Sequence, residues 1–155
     1  MKDKDQQLIW ESYDVMSGPW EATIDGKKYT GIVRDLINDT EHIDEVDYPV
    51  ADLDKFGMYA FTKDGLVVPR EPEEVATNMD GTWVKYTDLT PEQKLNHSND
   101  ETESMNKADL KYPIHVAVND RNEPVAILDG NHRLAKALRD RHTTIKTKLV
   151  PKELL

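Results

Sequence analysis

The chain has 155 residues, 37% hydrophobic and 32% charged, with 20 basic against 30 acidic side chains and a formal net charge of −10. It has no cysteine, which excludes disulfides, thiol catalysis and cysteine metal sites. No run of about 18 apolar residues is present to span a membrane, and the start, Met1 to Gln7, is too polar for a signal peptide, so a cytoplasmic protein is expected. The length fits one domain, or a core with an added subdomain.

Residues 1–9 read as a loose polar end, and residues 9–15 alternate weakly before the break at Ser17-Gly18-Pro19. Residues 20–24 and 28–32 flank Asp25-Gly26, a strong hairpin signal. A short helix is expected over 33–37, ended by Asn38-Asp39-Thr40. Residues 41–47 form an acidic stretch around His42, whose spacing is not diagnostic of a metal site. Strands are expected over 48–53 and 58–62, the second turning through Lys63-Asp64-Gly65 into Leu66-Val67-Val68. Residues 69–72 read as loop and 73–79 as one or two helical turns, with Asp80-Gly81 as a boundary. Two units follow: an acidic β-rich elaboration over 1–80 and a second unit over 81–155.

The second unit opens with a strand over 83–86. Thr90, Pro91 and Gln93 then supply a helix cap, first-turn proline and capping box. That helix should reach about Asn96, with His97-Ser98-Asn99-Asp100 as a polar joint before a second short helix through Lys107. Ile114 to Val118 alternates, which predicts a half-buried strand with His115 exposed or near a cleft. Residues 119–123 make a turn. Residues 125–128 form a buried strand, Asp129-Gly130 turns, and from Asn131 the apolar residues Leu134, Ala135, Ala137 and Leu138 share one helix face. Arg139 and Arg141 sit where cations suit a helix end. A final strand over 144–150 alternates and stops at Pro151.

Strand, sharp turn and helix start place unpaired main-chain N–H groups and the positive end of a helix dipole beside His132 and Arg133, which suits a phosphate. The plain structural reading stands beside it: Asn131 as a cap, Arg133 as a surface arginine. Residues 111–155 carry nine basic and five acidic side chains, against eleven and twenty-five in the first 110. The acidic balance argues against direct DNA binding, which draws on many Lys and Arg contacts to phosphates. The basic end can still hold a nucleotide.

Three pieces resemble the ParB/sulfiredoxin superfamily: Trp83-Val84-Lys85-Tyr86-Thr87-Asp88-Leu89, Pro113-Ile114-His115-Val116, and Asp129-Gly130-Asn131-His132-Arg133-Leu134-Ala135. The resemblance spans residues 82–150. It implies an α+β fold, a mixed sheet with flanking helices, to which the first 80 residues add the β-rich elaboration. It also implies a turn that cradles nucleotide phosphates, with ATP or CTP and Mg²⁺ as the cofactors. Two departures bear on activity. Sulfiredoxins place a catalytic cysteine after the motif glycine, where this chain has Asn131, so sulfinic-acid reduction is excluded. Partition proteins carry a helix-turn-helix after this domain, for which no room is expected past Leu155. Fic and Doc proteins share an Asp-Gly-Asn turn, but their essential histidine would fall at Val125, inside an apolar run.

On this reading Gly130, Asn131, His132 and Arg133 bind the ligand. Gly130 lets the backbone approach closely, and Arg133 grips oxygens with two N–H groups. His132 and Asp129 are the candidate catalytic groups. Three roles are open to Asp129: a water-mediated Mg²⁺ contact, a base, or a brace of the turn. Glu92, Glu101 and Glu103 are further candidate bases, and nothing in the sequence selects one. His97, Ser98 and Asn99 are weaker ligand candidates, and no metal site is expected. The function expected is nucleotide or phosphate binding, coupled to phosphoryl transfer or hydrolysis. The alternative is a non-enzymatic protein whose acidic first half binds a protein partner or mimics nucleic acid.

Overall fold

The computed structural model describes residues 19–63, 66–70, 74–76 and 83–155. The expectations for residues 1–18 and for the turns at Asp64-Gly65 and Asp80-Gly81 lie outside them. The elements, in order, are β1 (Pro19–Ile24), β2 (Lys27–Ile32), α1 (Val33–Asp39), β3 (Val46–Pro49), α2 (Val50–Leu53), β4 (Tyr59–Phe61), β5 (Val67–Pro69), β6 (Glu74–Ala76), β7 (Trp83–Lys85), α3 (Pro91–Lys107), β8 (Ile114–Val118), β9 (Pro124–Asp129), α4 (Asn131–Arg139) and β10 (Thr144–Pro151). The fold class is α+β, as expected. Among the described residues no helix is long and apolar enough to cross a membrane.

The centre is a four-stranded mixed sheet in the order β3-β10-β8-β9. β10 runs parallel to β8 and antiparallel to β3, while β8 and β9 are antiparallel. Layers cover both faces of it. On one, Leu134 and Ala137 of α4 and Val50 and Leu53 of α2 bury Ile114, Val116 and Ile145. On the other, Trp20, Ala22 and Ile24 of the β1–β2 hairpin, with Val33 and Leu36 of α1, bury Ala117, Leu128 and Val150. The hairpin turn places Asp25 at φ +52° and Gly26 at φ +81°, the left-handed pair that matches strand twist in a two-residue loop. A third small core joins Val67, Met105 and Ala135, with Tyr59 and Phe61 packed against it.

Four local expectations are corrected. Residues 48–53 do not form one strand: β3 ends at Pro49 and α2 begins at Val50. Proline lacks the N–H that a continuing ladder needs. Glu74–Ala76 is a strand paired with β7, not a helical turn. The break expected near His97 is absent, and α3 runs unbroken for 17 residues behind its Thr90–Gln93 capping box. Its polar sequence hides a narrow seam, in which Ser98 and Met105 are buried. Finally, all five residues of β8 are buried rather than half of them. The hairpin layer makes the second face of the sheet interior too, and His115 is 2% exposed.

Candidate functional site

β9 delivers the motif turn into the heart of this arrangement. Gly130 stands at φ +105°, a left-handed conformation that L side chains rarely adopt. A Cβ on it would meet Ile114 Cγ2 of β8 at 2.4 Å. The missing side chain thus lets the turn lie against the chain's own β8, where close approach of a ligand was expected.

Arg133 also does another job than the anion clamp expected of it. Its side chain is 6% exposed. Nη1 donates to the Pro113 carbonyl oxygen at 2.6 Å, and Nη2 donates to Asp129 Oδ2 at 3.2 Å. The guanidinium therefore ties α4 back to the end of β9 and to the segment entering β8. Asp129 is equally buried, and its Oδ2 lies 3.4 Å from Nδ1 of His115, close in charge terms but out of hydrogen-bond alignment. Two of the chain's own side chains, Arg133 and His115, thus face the Asp129 carboxylate. Asn131 is half-buried, and its Oδ1 is buried without a hydrogen-bond partner among the described residues.

His132 differs from these four. It is the second residue of α4, its side chain is 37% exposed, and it faces α3 and β4. Its Nε2 lies 2.7 Å from Glu101 Oε2 and 3.3 Å from the Tyr59 hydroxyl. The Tyr59 and His132 rings stack with centroids 5.2 Å apart and 28° between planes. An ionised carboxylate only accepts, so Glu101 places the imidazole proton on Nε2. The Tyr59 hydroxyl then donates to Glu101 as well. Burial pushes the Glu101 carboxyl up, but bonds from His132 and Tyr59, with the charges of His132 and His97, outweigh it and hold the group below the ordinary carboxylate range. Both hydrogen-bond contacts of His132 run through Nε2, and among the described residues nothing bonds its Nδ1.

The first turn of α4 sits beside this cluster. Gly130 is its N-cap, so no side chain caps the helix, and positive dipole character is concentrated there. On α3, His97 lies one turn before Glu101, its ring tilted against Tyr86 at 5.7 Å. Ser98 is buried in the α3 seam, and its carbonyl accepts from Thr102; Asn99 is exposed. Of the three candidate bases, the fold brings only Glu101 to the motif histidine. Glu103 pairs with Lys107 on the solvent side, and Glu92 is exposed in the first turn of α3. Sequence reasoning missed Tyr59, because its partner lies 73 residues away and nothing local marks it. Among the described residues, no group of three or more His, Asp or Glu side chains is placed to hold a metal ion.

No protein-family model, curated protein or solved structure matches the chain.

Proposed function

We propose that this protein binds a phosphate-bearing small molecule, with ATP or CTP and Mg²⁺ as the first candidates, where α4 begins against α3 and β4. The observation that carries the reading is the Glu101–His132 contact at 2.7 Å beside a helix start without a side-chain cap. It leaves a fixed imidazole edge next to main-chain amides, a combination suited to phosphate oxygens. Arg133 and Asp129 serve the site from behind, by holding the turn in shape. The resemblance of residues 82–150 to the ParB/sulfiredoxin superfamily points the same way, since its members bind nucleotide phosphates at a turn of this kind. Glu101 carries negative charge near the ligand, but the protons of His132 and Tyr59 occupy it.

Titration calorimetry with ATP, CTP, ADP and inorganic phosphate, each with Mg²⁺, tests this. Wild type should bind at least one of them. His132→Ala should lose about tenfold or more in affinity, the equivalent of one charge-assisted hydrogen bond. No binding of any of the four ends the reading. The alternative then gains ground: an acidic surface for a protein partner, of which the exposed Asp44, Glu45 and Asp47 form part.

A further inference from the structure

The geometry points to a covalent role for His132: its Nδ1 accepts a phosphoryl group from a nucleoside triphosphate, making a phosphohistidine, an inference that rests on the nucleotide reading above. An imidazole attacks through whichever nitrogen lacks the proton. Glu101 settles which one that is. Its Oε2 lies 2.7 Å from Nε2, and a carboxylate held in its ionised form can only accept there. In the neutral ring the lone pair is therefore on Nδ1, the nitrogen that no described residue bonds.

Three features suit that nitrogen to attack on phosphorus. The ring is held between its hydrogen bond to Glu101 and its stack on Tyr59, so its plane is set before a ligand arrives. Helical side chains lean toward the start of their helix, and His132 is only two residues into α4. The group it would carry thus lies near the dipole end that favours a phosphate dianion. Lastly, the charge balance closes within the cluster. The Nδ1 lone pair forms the N–P bond to the γ-phosphorus while the bond from phosphorus to the β,γ-bridging oxygen breaks. The nucleoside diphosphate leaves with that electron pair. The ring gains positive charge, which Glu101 offsets across the retained Nε2 proton. No further proton acceptor is required.

A histidine that merely staples α4 to α3 would show the same hydrogen bond and no chemistry. The two are separated by incubating the full chain with γ-³²P-labelled ATP or CTP and Mg²⁺, resolving it under alkaline conditions and mapping the modified residue by mass spectrometry. The expected result is an acid-labile, base-stable label on His132. It should be absent from His132→Gln, retained in His142→Gln, and formed about 10²-fold more slowly in Glu101→Gln. Circular dichroism checks each variant's fold; should His132→Gln fail to fold, the mapped position on wild type decides. Nucleotide bound by calorimetry without label overturns the transfer and leaves the binding site standing. Label on His97 or another histidine, or an undiminished rate in a folded Glu101→Gln, also overturns it. Absence of both binding and label removes the proposed function along with it.

Discussion

Replacing Gly130 with alanine separates a glycine required by packing from one required by a ligand. Two penalties act at this position. A left-handed backbone disfavours any Cβ by about 1–2 kcal/mol. The new methyl would also sit 2.4 Å from Ile114 Cγ2, 2.7 Å from its Cβ and 3.2 Å from its Cα. Ile114 is fully buried in the middle of the sheet and cannot swing aside, so overpacking adds about 1–3 kcal/mol. The sum, about 2–5 kcal/mol, is a large part of a typical domain's 5–15 kcal/mol. Gly26→Ala is the internal control. Its φ is +81°, but a Cβ there meets nothing within 4 Å, so it should show the backbone penalty alone. Urea denaturation of wild type and both variants should place Gly130→Ala about 1–3 kcal/mol below Gly26→Ala at unchanged m-value. Equal stabilities for the two variants would refute the packing argument. Full stability with lost phosphate affinity would return Gly130 to the role the motif suggested.

Arg133→Ala should destabilise by about 3–5 kcal/mol, because it removes the cation paired with the buried Asp129 carboxylate. Calorimetry on the folded fraction should show ligand affinity little changed, whereas a stable variant with affinity lost would make Arg133 a ligand after all. Glu101 gives a pH signature. Its folded-state pKa is depressed, so its stabilising contribution is complete above the unfolded carboxylate value and is lost as pH falls through the folded one. Melting temperatures between pH 6 and pH 3 should therefore fall more steeply for wild type than for Glu101→Gln, and parallel curves would contradict this. Thr90→Ala removes the cap that accepts from the Gln93 amide and should cost about 0.5–2 kcal/mol. A stability unchanged in urea melts would mean that α3 is held by its seam alone.

Signals confined to a few neighbouring residues were legible. Asp25-Gly26 dictates its hairpin because both residues tolerate positive φ. Thr90, Pro91 and Gln93 start α3 because their groups satisfy the first-turn amides. Asp129-Gly130 turns β9 into α4 for the same kind of reason. Features set by what lies across space were not. The alternation in β8 suggests one wet face, and only the arrival of a hairpin from far upstream in the chain makes both faces dry. The motif arginine has the same sequence neighbours whether it faces solvent or Asp129. Its burial follows from the depth at which β9 ends. His132 kept its prominence, but Glu101 and Tyr59 are chosen by the packing of α3 and β4 against α4.

The place of β10 has a consequence for how the chain is made. It lies between β3 and β8, and no hydrogen bonds join those two strands directly. Ribosomal synthesis delivers β3 nearly a hundred residues before the strand that must bridge it to the rest. Until then Val46–Pro49 has no ladder partner, and half of the sheet waits with an open edge. Collapse of the nascent chain can bury the hairpin early, yet the tertiary structure closes only when the last strand slides into its slot. Folding of this sheet should thus be slow, as non-local pairing requires, and most exposed to misassembly until β10 is in place.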